Sequence, residues 1–437
     1  MFSAFRQYWQ QLRESLWFVP GLLVLGAIGL AYALVLFDTQ TSFDGSKRFP
    51  LLFGAGAEGS RGMLSSIASS MLTVAALVFT LTLNAITQVS SQYSPRVLRN
   101  FMRDRGNQVV MGYFVGVFTY CLLVLGTIRG SDEDRFVPAT AVLVGLVLAL
   151  GGVVALIYFI HHIAESLQTG TILKHIADET GKAIDTLFPE ELGEPAAETP
   201  PANNPPDDNA PDSRCIAARQ TGYLQRIDTD GLLRWASSHK ALVRVEQPLG
   251  AFISTETPLL RVQSAADEPG SDPTDTLLDF LTIGRHRSVE QDVAFGLQQL
   301  VDIGLKALSP GVNDTTTAIM AIDHLGALMS RLAGRPFPAD WRADDEQVRV
   351  RVKAPDFADY VALAFDLLRI NAQGNHAVCR RLLRALADVD AAACSGGRRV
   401  IVRRQLHLLL DYAEQTLATD YEKEQVRALY KTLVVGG

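Results

Sequence analysis

From Leu16 to Phe37 the chain runs 22 residues without a charge, and three more such runs follow: Gly62 to Ser91, Gly106 to Ile128 and Phe136 to Ile160. Each exceeds the roughly 20 residues that an α-helix needs to cross a hydrocarbon core of about 30 Å. The first is longer than the ~7–15-residue core of a signal peptide, and no small-x-small cleavage site follows it. It is expected to stay as a span. The pattern predicts a four-span domain over residues 1–165.

After His161 the periodicity changes. Leu167, Ile172, Leu173, Ile176, Ile184 and Leu187 fall at helical spacing, which predicts an amphipathic stalk over 166–188. PEELGEPAAETPPANNPPDDNAPDS, residues 189–213, combines seven prolines with acidic residues and reads as an extended linker. Over 214–265, GYLQRID and ALVRVEQPLGAFIS alternate in the strand manner around DGLLRWASSHK, a short helix. From 274 to 437 six amphipathic segments with short joins predict an α-helical bundle. In it SPGVND is a turn, and Asp314 caps the helix that starts at Thr315. The expected fold class is mostly α: a four-helix transmembrane domain, then a cytoplasmic α+β region with a small β-rich, barrel-like module and an α bundle.

Lys and Arg set the orientation. Arg6 and Arg13 precede the first run. Arg96, Arg99, Arg103 and Arg105 follow the second, against Asp104 alone, whereas RGSDEDR after the third is balanced to acidic. A multi-pass protein of the bacterial inner membrane with both termini cytoplasmic is expected. The net charge of −7 gives no sign of nucleic-acid binding. Cys121, Cys215, Cys379 and Cys394 show no CxxC spacing, against a zinc site or disulfide framework.

The second span is unusually rich in hydroxyls. On a seven-residue repeat one column reads Ser66, Thr73, Thr80, Thr87, and its neighbour reads Ser70, Leu77, Asn84, Ser91. A 3.5-residue period holds such a stripe on one seam of a gently supercoiled bundle. Two readings compete. Small and hydroxyl residues let helices approach and hydrogen-bond; or, in a ring of subunits, the stripe lines an aqueous path. Asn84, read as near mid-span, needs a partner helix or water in either case. Arg96, Arg99 and Arg103 continue at helical spacing, either as an anion-concentrating inner mouth or as headgroup contacts.

MLSSIASSM running on into QVSSQYSPRVLRNFMRDR, together with IGRHRSVEQDVAFGLQQLVDIGLKALSPGVNDTTTA, resembles the bacterial family of predicted inner-membrane proteins catalogued as domain of unknown function 2254. The resemblance covers most of the chain and implies its topology far more than any chemistry. Separately, the opening and close of the β module resemble half of a lipoyl or biotinyl barrel-sandwich repeat. Lys240 stands in no clear acceptor hairpin, so carrier function is not expected.

Arg285, Arg287, Glu290 and Asp292 crowd one helix start, and Asn313 and Asp314 the next; together they suggest a polar network or an anion site. His161 with Glu165, and His175 with Glu179, are i, i+4 pairs without a spaced third ligand, so no metal or other cofactor is expected. No G-x-S-x-G, Walker or H-E-x-x-H motif occurs, and no enzyme is expected. The favoured expectation is a homo-oligomeric channel or conduit for an ion or small solute, with span two on the axis. The alternative is a non-transporting scaffold or sensor whose cytoplasmic bundle binds a partner or ligand.

Overall fold

The computed structural model describes residues 17–40, 56–92, 104–129, 136–188, 213–264, 272–338, 340–344 and 347–435. The chain divides into two compact units, Met1–Thr171 and Ile172–Gly437.

Among the described residues the first unit holds four helices: α1 (Phe18–Gln40), α2 (Gly56–Gln92), α3 (Arg105–Thr127) and α4 (Ala139–Ser166). All four are long and apolar enough to cross a membrane. α3 is the most enclosed, with 44% of its apolar window buried against 11%, 22% and 17% for α1, α2 and α4. It packs on all three others. Small residues make that possible. A Cβ added at Gly112 would stand 2.7 Å from Pro20 Cα and 2.7 Å from Leu23 Cδ1, so α1 rests directly on the backbone of α3. Gly116, four residues on, faces Ala27. Gly145 and Gly152 of α4 admit Leu64 and Met71 of α2 in the same way. Between them lie Phe114, Val117, Tyr120 and Val124, all buried.

The second unit is mixed. Its first helix, α5 (Thr169–Leu187), was expected as a stalk but is a core element: Ile172, Leu173, Ile176, Ala183 and Ile184 are buried. An apolar face that wide must be covered. Gly181 lies under Arg331 and Leu328, and Asp185 pairs with Arg331 (2.5 Å) and Arg335 (3.1 Å). The acidic Pro-rich linker lies almost wholly outside the described residues.

Then come β1 (Ser213–Ala217), β2 (Gly222–Ile227), α6 (Thr229–Ser238), β3 (Ala241–Val245), β4 (Phe252–Ile253), β5 (Pro258–Ser264), α7 (Thr274–Leu278) and β6 (Leu281–Gly284). After α8 (Val293–Leu308) and α9 (Thr315–Ala333), a hairpin of β7 (Trp341–Asp344) and β8 (Gln347–Val352) interrupts the helices. It returns to the β module, β8 lying parallel to β3, and gives a five-stranded sheet of order β1-β5-β3-β8-β7. A second sheet has the order β4-β2-β6. Both are open, so the barrel-like module expected from the alternation is not a closed barrel. The reason is that β8 occupies an edge of β3, while α6 packs against β3 and β8. α10 (Phe357–Asn371), α11 (His376–Ala392), α12 (Gly396–Thr416) and α13 (Asp420–Val435) complete the bundle.

Gly112→Val should overpack the α1–α3 contact and lower stability by about 1–3 kcal/mol. Gly126→Ala, on the same helix with nothing within 4 Å of the added carbon, should be near neutral. Thermal unfolding of the two variants in one detergent compares them directly.

Candidate functional site

The hydroxyl stripe lies on the outside of the first unit. α2 buries Leu64, Ala68, Met71, Ala75, Val78, Ala85 and Val89, and every one of Ser66, Ser70, Thr73, Thr80, Asn84 and Thr87 is exposed. Nor do the hydroxyls reach another span. Ser66 Oγ donates to Gly62 O (2.8 Å), Thr73 to Ser69 O (2.9 Å), Thr80 to Ala76 O (2.9 Å) and Thr87 to Leu83 O (2.9 Å). Each proton is held by the helix's own backbone, and the oxygen lone pairs remain free to accept. Glue between spans of one chain is therefore not what these residues supply. The side chain of Ser91, and Arg96, Arg99 and Arg103, lie outside the described residues.

The depth of each group follows from how α2 and α4 run in step. Leu64 meets Gly145 and Met71 meets Gly152, seven residues on in both helices. The same offset puts Leu81 level with His162. At the opposite end Arg61 donates to Ile128 O (2.6 Å). Roughly 20 residues, about 30 Å of helix, separate Arg61 from Leu81. Ser66, Ser70, Thr73 and Thr80 thus fall between these two levels, and Asn84 and Thr87 lie further along α2, past the level of His162.

That border is marked by a contact sequence reasoning missed. His162 Nε2 and Asp104 Oδ2 stand 2.6 Å apart, and Asp104 Oδ1 accepts from Gly106 N (2.8 Å), capping α3. Tyr158 stacks on His162. The contact clasps the start of α3 to the end of α4, and Asp104 before a new apolar run was its one visible signal.

A family model described as "Predicted membrane protein (DUF2254)" matches residues 13–388. The chain belongs to this family. Uncharacterised proteins of Mycobacterium tuberculosis (strain CDC 1551 / Oshkosh) and Mycobacterium bovis (strain ATCC BAA-935 / AF2122/97) are each 34% identical to it over 421 residues, covering 95% of this chain and 79% of each relative. No solved structure matches.

In this DUF2254 protein the predicted polar cluster of the second unit separates into two places. Asp292, 5% exposed, caps α8 through Phe295 N (3.0 Å) and pairs with Arg287 (2.9 Å to Nε). The Arg287 guanidinium lies over the Phe295 ring at 5.0 Å. Gly250, at φ +78°, closes on both, and a side chain there would collide with the pair. Arg285 and Glu290 stay exposed outside it. Asn313 and Asp314 stand at the far end of α8, some 24 Å away by helix length. Asp314 caps α9, accepting from Thr317 N (3.0 Å) and Thr317 Oγ1 (2.6 Å). Those bonds hold its carboxyl below the ordinary carboxylate value. The arrangement is structural, and Arg287 is already engaged by Asp292.

For metals, His161 and Glu165 approach to 4.0 Å in the open, and among the described residues no three His, Cys, Asp or Glu side chains come together. Burial pushes the Cys379 thiol up to about 11, which keeps it protonated and unreactive at neutral pH.

Asp292→Ala strands Arg287 and removes a cap, and should cost about 3–5 kcal/mol in denaturant unfolding of the second unit's signal. Asp314 has a lowered folded-state pKa. Its contribution is therefore present above the ordinary carboxylate value of about 4 and is lost as pH falls through the lower folded value. Asp314→Asn keeps a capping side chain, should stay within about 1 kcal/mol of the parent at pH 7, and should show a shallower loss of stability in acid.

Proposed function

We propose that copies of this protein assemble in the membrane with α2 toward a shared axis, and that the seam between them is a polar path for an ion or small solute. One observation carries the reading. The outward faces of α1 and α4 present Leu22, Leu25, Leu36, Val147, Leu150, Val154 and Ile157, side chains suited to acyl chains. α2 exposes Leu72, Leu77, Phe79 and Leu83 as well, but beside them it carries a stripe of small and hydroxyl residues, Gly62, Ser65, Ser66, Ser69, Ser70, Thr73, Ala76 and Thr80. Small and hydroxyl residues on one exposed face of a span favour close approach of another helix. With the hydroxyl protons already bonded within α2, what the seam offers a permeant species is oxygen lone pairs. The charge pattern of the connections favours placing the His162 border and the second unit in the cytoplasm.

A second reading is a non-transporting scaffold or sensor whose second unit binds a partner. The same backbone-bonded hydroxyls favour it, since a self-satisfied face can close dry against a second copy.

Ser70→Cys, in a background lacking the exposed Cys215 and Cys394, should trap a cross-linked dimer in membranes, and a strict monomer by particle mass would end both oligomeric readings. Purified protein in liposomes should pass ions. Thr73→Leu should cut that flux severalfold or more while leaving the particle mass unchanged; cross-linking with no flux under any gradient selects the scaffold.

A further inference from the structure

Two turns far apart in sequence, Ser309–Asp314 and Ala372–Asn375, meet around a cavity of about 430 Å³. Asn375 Nδ2 donates to Thr315 Oγ1 (2.9 Å) and pins them together. Asn313, Asn371, Gln373, Asn375 and His376 line the cavity, with Leu308 at one wall. The backbone is shaped to admit them: Asn313 holds φ +49° and Gly374 φ +71°, the left-handed region that Asn and Gly tolerate.

Several hydrogen-bonding groups there are unused. His376 Nε2 is buried without a partner. The N–H groups of His376 and Ala377, in the first turn of α11, meet no acceptor among the described residues. A buried imidazole nitrogen left open in this way is costly unless something occupies it.

The charge balance narrows what that is. No Lys, Arg, Asp or Glu lines the cavity. Two helices begin beside it, α9 and α11, and two end beside it, α8 and α10, so positive and negative helix ends offset one another. The Arg287 pair lies at the other end of α8, out of reach. Neither a strong anion nor a cation finds a counter-charge. His376 is the one ring in the lining, with no Phe, Tyr or Trp beside it to sandwich a flat ligand. Asn375 is bonded at both ends and Asn371 Nδ2 donates to Leu367 O, which leaves Asn371 Oδ1 and the carboxamides of Asn313 and Gln373; a carboxamide sets an acceptor oxygen beside a donor N–H and matches neighbouring hydroxyls that each donate and accept.

We propose that this cavity binds a small uncharged polyhydroxyl solute, a polyol or sugar, independently of any path along α2. The test uses the full chain in lipid nanodiscs, free of sugar-headed detergent, with myo-inositol and D-glucose as probes and sodium acetate and inorganic phosphate as counter-probes. Saturation-transfer NMR should show contact with a polyol, and the His376 imidazole resonances of the unaltered protein should move on titration. Gln373→Ala and Asn371→Ala, both at exposed positions, should each weaken binding about tenfold, the worth of one hydrogen bond. Silence from both polyols overturns the proposal, as does binding that both variants leave unchanged, or binding of phosphate or acetate in their place.

Discussion

A hydroxyl in hydrocarbon must find an acceptor, and α2 supplies one from its own backbone. Ser66, Thr73, Thr80 and Thr87 each donate to the carbonyl four residues earlier. This frees the helix to place its polar stripe where no other span of the chain can serve it. The apolar face is left to do the packing, and it does so against glycines: Leu64 into Gly145, Met71 into Gly152. Had the stripe needed partners within the chain, it would have had to turn toward α3 and α4, and Leu64, Met71 and Val78 would have faced outward. Inside a bilayer, where apolar burial between helices gains little, close backbone approach matters more than side-chain size.

In the second unit the governing problem is different, since water competes for every polar group. There the chain uses capping carboxylates and amides: Asp292, Asp314, Asp356, Asn375 and Ser395 each accept from a backbone N–H of the helix they precede. The Arg287–Asp292 pair does more than cap. With Gly250 closed over it, it ties the turn after β3 to the start of α8, so the β module and the helices share one polar joint. The β7–β8 hairpin adds a second tie by lending β8 to β3.

Much of this was legible in the residues. The four spans follow from uncharged length, and the six long helices of the second unit from periodicity near 3.6. The β7–β8 hairpin was missed although QVRVRV alternates strictly, because helical segments on both sides made the region read as joins. Its pairing with β3, about a hundred residues earlier, is a long-range register that local pattern does not encode. α5 was taken for a stalk for a related reason: amphipathicity shows that a face needs cover but not what covers it. The stripe itself was visible in the heptad columns. Its direction was not, since that depends on which face of α2 the glycines of α4 accept.

These two ways of satisfying polar groups leave different residues open. In the membrane unit the hydroxyls are bonded internally, and what remains is a surface of lone pairs beside small side chains. That stripe is cheap to expose to another helix or to water, while Leu72, Leu77, Phe79 and Leu83 of α2, like the aliphatic faces of α1 and α4, suit acyl chains. In the second unit carboxylates, an amide and a serine cap five of the long helices, and one pair of turns between helices carries Asn313 and Gly374 in left-handed conformations beside the first-turn N–H groups of α11. Left-handed Asn313 and a buried, unpartnered His376 Nε2 both carry a cost. They collect around one cavity. The first-turn donors of α11 and this imidazole face a shared space although Asn375 already caps the helix, and a bound hydroxyl would meet them there.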